Sequence, residues 1–87
     1  MSQLQDQFEQ AQKDVNALPR RPDNDTLLKL YAYFKQATQG DVAGDVPGTF
    51  DFVRRAKFDA WAGIKGTSVP DAMRKYVELV KSLQGMN

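Results

Sequence analysis

The sequence predicts an all-α protein, a four-helix bundle with one long connection. Three observations predict it. Four stretches repeat their apolar residues at steps of three and four, the helical period. Nothing alternates at the period of two that marks a strand, and there is no internal repeat or low-complexity tract. Proline, glycine, asparagine and aspartate gather between the stretches, where helices start and stop.

The first helix is predicted from about Leu4 to Asn16. Leu4, Phe8, Ala11, Val15 and Leu18 form one stripe, and Asp6, Gln7, Glu9, Lys13 and Asp14 lie off it. Pro19 ends the pattern, because a proline disfavours helical geometry in the residue before it. Arg20 to Asp25 is a loop, with Asp23 or Asn24 able to cap the next helix and Arg20 and Arg21 a solvated pair. The second helix is predicted from about Thr26 to Gln39. Its apolar side is broad, which calls for more than one neighbour or a ligand, and Gly40 suits the position after its end.

Asp41 to Thr49 holds two glycines, a proline and two aspartates, so a long loop crosses one end of the bundle. The third helix is predicted from about Phe50 to Ile64, with Thr49 as its cap and Val53, Ala56, Ala60, Trp61 and Ile64 as its stripe. Gly63 and Gly66 weaken and then end it. Ser68 caps the fourth, with Pro70 and Asp71 in its first turn and Val69, Met73, Tyr76, Val77, Val80 and Leu83 along it. Gly85 to Asn87 is a terminal tail.

Eighty-seven residues of near-neutral balance, net charge +1, are expected to make a single domain, 1–87. That balance does not suggest nucleic-acid binding. The absence of cysteine and histidine removes thiolate chemistry, the commonest general base and the commonest metal ligands. No apolar run reaches membrane-spanning length and the first residues are polar, so the expected location is the cytoplasm.

Two places put a cation on aromatic and aliphatic surface. Tyr31 and Lys35 stand one turn apart on a helix face, where a phenol beside an ammonium can cradle a flat ring and an attached anion. Lys57 lies inside the third stripe, between Val53 and Trp61. Either these lysines lay their stems on the core edge and keep their heads in water, or both face a site where an anion arrives.

The chain resembles a known family at Leu30-Tyr31, Lys35-Gln36-Ala37-Thr38 and Gly40-Asp41, which are similar to the YKQAT-x-GD segment of acyl-CoA-binding proteins. Pro47-Gly48, Ala56-Lys57-Phe58-Asp59-Ala60-Trp61 (the AKWDAW motif), Lys65-Gly66-Thr67-Ser68, Asp71-Ala72-Met73 and Tyr76-Val77 follow in order. Phe8, Ala11, Val15 and Leu18 fit its first helix. The resemblance implies an up-down-down-up bundle that binds long-chain fatty acyl-CoA thioesters in the cytosol, carries them and forms their pool, without catalysis. It implies no cofactor, acyl-CoA as the partner, no nucleic acid, no stable membrane insertion and a monomer.

By the same resemblance, Tyr31 would contact the nucleotide or its 3′-phosphate, Lys35 a phosphate, and Lys57 the 3′-phosphate or adenine; Tyr76 would close the adenine pocket. Phe34 stands where the family has tyrosine, Phe58 where it has the first tryptophan of the motif, and Val53 and Asn16 where basic residues are common. Weaker phosphate contacts are therefore expected, with the ligand class unchanged. Ala11, Leu27 and Leu28 are candidates for the tail groove, and equally for core. The rival readings are a helical module that binds a protein and a carboxylate-led thioesterase.

Overall fold

The computed structural model describes residues 3–48 and 50–85. Their elements are four helices: α1 (Gln3–Asn16), α2 (Asn24–Gln39), α3 (Phe52–Ala62) and α4 (Val69–Gln84). In space α1 packs on α4, α4 on α2, and α2 on α3. α2 thus has two helical neighbours, which accounts for its broad apolar side. α3 has only α2 beneath it.

The caps follow from side-chain chemistry. Asp23 is the N-cap of α2, its carboxylate accepting the Thr26 N–H at 2.8 Å. Those bonds from Thr26 hold its carboxyl below the usual carboxylate range. Ser68 caps α4 through the Asp71 N–H at 3.2 Å, with Pro70 just inside the helix where its missing N–H costs nothing.

α3 differs from expectation. It is shorter than 50–64 and starts after Asp51, whose side chain accepts the Arg54 N–H at 3.3 Å. Asp51 N–H is in turn bonded to Gly48 O at 3.1 Å, so a turn holds the chain at Asp51 before the helix begins. The proposed cap Thr49 lies outside the described residues, as do Met86 and Asn87 of the terminal tail. The stripe also divides. Trp61 is buried, but Val53 is 67% exposed, because it falls in the first turn of α3, where α2 does not cover it.

The core lies between α1, α2 and α4. Phe8, Ala11, Leu30, Ala37, Ala72, Tyr76, Val77 and Val80 form it, with Leu27, Phe34 and Leu83 packed around them. Three rings from three helices meet here. Phe8 lies 5.1 Å from Tyr76, edge to face, and 6.1 Å from Phe34, stacked. Such pairs contribute beyond the area they bury.

Phe8 is 2% exposed and touches both other rings. Phe8→Ala is therefore expected to destabilise the fold by about 3–5 kcal/mol. A urea titration followed by circular dichroism reads this as a lower midpoint at an unchanged slope.

Candidate functional site

Gln36 sits in the last turn of α2 and is 1% exposed, the one buried polar side chain among the described residues. A carboxamide buried this deeply needs partners for both ends. Its Nε2 donates to Asp41 Oδ1 and to the Thr67 carbonyl, both at 2.8 Å. Its Oε1 accepts from Trp61 Nε1 at 3.0 Å, and that indole N–H also lies 2.9 Å from the Gly40 carbonyl. Asp41 Oδ1 accepts the Gly66 N–H at 2.8 Å as well. These bonds tie the end of α2 to the end of α3 and to the loop after it. Gly40 and Gly66 have φ of 80° and 92°, a region that side chains strongly disfavour. Their glycines let the backbone offer a carbonyl and an N–H to this cluster.

The clasp sets α3 against α2, and the candidate lysines stand on that seam. Lys57 Nζ, from α3, lies 5.3 Å from the centre of the Tyr31 ring. Lys35 Nζ, from α2, lies 6.0 Å from the same ring and 5.1 Å from Trp61. Two ammonium groups from two helices thus converge on one phenol. Neither has a carboxylate partner among the described residues, where the ion pairs are Arg54–Asp51, Arg55–Asp59 and Arg74–Asp71. Paired cations without an acid between them attract an anion, and the Tyr31 face offers a flat platform beside it.

Tyr31 also separates two cavities. One, of about 480 Å³, is lined by Asn16, Arg20, Arg21, Phe34 and Tyr76 among others. The second, of about 400 Å³, lies between α2 and α3 and is lined by Leu27, Leu28, Phe52, Val53, Ala56 and Lys57 with Arg21 and Asn24. Arg21, Leu27 and Tyr31 line both, so the two are parts of one cleft. Each is within the size range of ligand sites. Burial raises the Tyr76 phenol pKa above its ordinary value, so this hydroxyl stays protonated as a donor at the first cavity.

The structure thus gathers Tyr31, Phe34, Lys57, Tyr76, Asn16, Val53, Leu27 and Leu28 around one cleft, with Lys35 against Tyr31. Ala11 does not join them. It is 3% exposed inside the core, one turn from Phe8, and lines neither cavity. The sequence reading missed Arg20 and Arg21, which it left in solvent; both line the first cavity, and Arg21 the second. The prolines on either side, Pro19 and Pro22, are the available signal, since they stiffen a loop that then holds its arginines in place. No group of acidic side chains that could hold a metal ion occurs among the described residues.

Fold and cleft together define a small all-helical binding domain for an amphipathic anion. Residues 5–80 match the model of one protein family, acyl CoA binding protein. The chain is 47% identical over 76 residues to an acyl-CoA-binding protein of Saccharomyces cerevisiae, covering 87% of each. It is 43% identical over 83 residues to enoyl-CoA delta isomerase 2 of Rattus norvegicus, covering 95% of this chain but 21% of that protein. The crystal structure of Oryza sativa acyl-CoA-binding protein 2 superposes with a TM-score of 0.89 at 39% identity, over 94% of this chain and 91% of that one. The chain belongs to the acyl-CoA-binding protein family.

The clasp makes its own pH dependence. The Gly66 N–H, and then the Gln36 amide, hold the Asp41 carboxyl below the usual carboxylate range. A folded pKa below the unfolded one stabilises the fold at all pH above the unfolded value, and that contribution is lost as pH falls through the folded value. Asp41→Asn is expected to lower stability near neutrality, with the gap to wild type closing below about pH 4. Urea midpoints measured across that range test it; a gap that stays constant would exclude the carboxylate as its source. Gln36→Leu, which strips partners from Asp41 and Thr67, should cost about 1–3 kcal/mol at neutral pH in the same measurement.

Proposed function

We infer that this chain binds long-chain fatty acyl-CoA thioesters and acts as their intracellular carrier and pool former. One observation carries the reading. Lys35 and Lys57 converge on the Tyr31 ring at the boundary between a basic-aromatic cavity and an apolar one. An acyl-CoA has the matching parts in the matching order: a flat base with phosphates, then an alkyl tail.

The nucleotide lies in the first cavity. Adenine rests against Tyr31 and Phe34, the protonated Tyr76 hydroxyl donates to it, and Lys35 and Lys57 take the 3′-phosphate. Arg20 and Arg21 stand where the other phosphates pass and offset the basic groups that Asn16 and Val53 replace. The tail lies along Leu27, Leu28, Val53 and Ala56 in the second cavity. Each buried methylene contributes about 0.8 kcal/mol, so a long tail supplies most of the gross affinity. The phosphates supply orientation and the discrimination against free fatty acid.

We place the chain in the cytoplasm as a monomer, without catalysis and without a cofactor. Thioester hydrolysis needs an activated nucleophile or base, and the chain has neither histidine nor cysteine to provide one. No described helix is long and apolar enough to cross a membrane. Incubation with acyl-CoA should release no free thiol.

Calorimetric titration with palmitoyl-CoA tests the reading, with CoA and palmitate as controls. Tight one-to-one binding of the thioester is expected, with both controls much weaker. Lys57→Ala should weaken it by about one to two orders of magnitude, the range for a charge-assisted bond to phosphate. Palmitate binding as tight as that of the thioester would overturn the assignment.

A further inference from the structure

One wall of the first cavity carries no charge. α1 brings Val15 and Asn16 to it, and Asn16 stands where the family commonly has a basic residue. The Asn16 amide is turned back along its own helix, its Nδ2 donating to the Gln12 carbonyl at 3.2 Å. Gln12 does the same one turn earlier, its Nε2 donating to the Phe8 carbonyl at 3.4 Å. The cations that line this cavity, Arg20 and Arg21, come from the loop after α1.

Asn16 also lines a hollow of about 430 Å³ with Glu9, Gln12 and Lys13, so the hollow and the first cavity meet at Asn16. Lys13 is the cation on that shared edge. Residues three apart on a helix are surface neighbours, with about 5–6 Å between their Cβ atoms. A lysine carries its charge on a flexible four-carbon stem, long enough to pass such a neighbour. Lys13 is exposed and has no carboxylate partner among the described residues, where the ion pairs are those of Arg54, Arg55 and Arg74. The nearest acids along α1 are engaged elsewhere. Glu9 Oε1 accepts from Gln5 Nε2 at 3.5 Å, and Asp14 Oδ1 from Gln10 Nε2 at 2.9 Å. The helix dipole favours a cation in the last turn of α1, but it does not fix where the head of that cation lies.

We propose that Lys13 is a ligand-binding residue, whose ammonium swings past Asn16 into the first cavity and pairs with a phosphate of bound acyl-CoA. It returns to the α1 wall, from one turn back, the positive charge that Asn16 omits. The ligand then meets a cation from α1 beside those from α2 and α3. The proposal rests on the acyl-CoA reading and adds to it a residue that none of the family motifs contains. Its head is free in the empty protein, so binding orders a long side chain, and the gain is that of an exposed pair and not of a buried one.

Calorimetric titration of palmitoyl-CoA into the intact protein and its variants tests this. Lys13→Gln should weaken binding by about fivefold, the upper range for an exposed charge pair. Lys13→Arg should keep most of the affinity. Adding Asn16→Lys to Lys13→Gln should restore it, because a cation at either position serves the same wall. Lys75→Gln removes an exposed charge of α4 that lines neither half of the cleft, and should bind as wild type does. Palmitoyl-3′-dephospho-CoA identifies the phosphate. A Lys13→Gln penalty that disappears with it puts Lys13 on the 3′-phosphate, and one that persists puts it on the diphosphate. Wild-type affinity in Lys13→Gln would overturn the pairing and leave palmitoyl-CoA binding intact. An equal loss in Lys75→Gln would also overturn it, by making the effect one of net charge. Wild type that binds no palmitoyl-CoA would remove the carrier reading, and the role of Lys13 with it.

Discussion

The position of α3 depends on one buried carboxamide. α3 has a single helical neighbour, and its apolar contact with α2 is modest because Trp61 alone of its stripe is fully buried and Val53 stays in solvent. Hydrophobic packing is non-directional, so such a contact does not by itself set how one helix slides or turns on another. Hydrogen bonds do. Gln36 reaches Trp61 within α3, Thr67 after it and Asp41 before it, and each bond has a fixed length and direction. A buried network of this kind strengthens its members and makes any partial arrangement costly. The two lysines that meet at Tyr31 come from the two helices that Gln36 joins. Their spacing, and so the shape of the anion site, is inherited from a residue that lies outside the cleft's lining.

Tyr31 is the second constraint. Its ring lies near two ammonium groups and stands between a cavity that carries two arginines and a more apolar one. Two lysines held over one ring without an acid repel each other, and the ring's negative face offsets only part of that repulsion. The remainder is relieved when a phosphate arrives. In the proposed binding mode the cleft is organised around a charge that the ligand brings, and the attraction grows on binding because the ligand also excludes water. The tail gains nothing from this arrangement directly. In that mode a seated head sets the tail at the adjoining cavity, which couples the non-specific part of the affinity to the specific part.

Most of the fold was legible in the sequence because helix periodicity and caps are local. Ser68, Asp23 and the stripe of α4 act within a few residues of themselves, and they stand where the pattern placed them. The start of α3 was not legible in this way. Thr49 and Asp51 are both acceptable caps, and the choice follows from the turn closed by Gly48 and Asp51, whose geometry has no distinctive spacing. Among the site residues, Tyr31, Lys35 and Lys57 stood out because a cation on an apolar face is locally odd. Arg20 and Arg21 did not, because arginines in a polar loop are ordinary until the loop is folded against α2. Gln36 was visible only inside a motif. Nothing in the chemistry of a glutamine within a helix tells whether it faces solvent or an indole far along the chain. Ala11 was left open between tail groove and core, since a small apolar residue suits both, and its place in the core cluster with Phe8 favours the second.

The departures from the family pattern fit one physical trade. Val53 replaces a cation at the cavity mouth with exposed aliphatic surface, and Phe34 replaces a hydroxyl with a bare ring inside the first cavity. Both changes remove polar contacts to a nucleotide. Val53 also increases the apolar surface that a tail in the second cavity can touch. Losing a charge-assisted bond costs about 1.5–3 kcal/mol at most, while each additional methylene kept dry returns about 0.8 kcal/mol. Two to four methylenes thus cover the loss of one phosphate contact. A cleft altered in this direction keeps its ligand class while shifting the weight of recognition from head to tail, and its preference among acyl chains should be steeper toward length than that of a cleft with the full basic set.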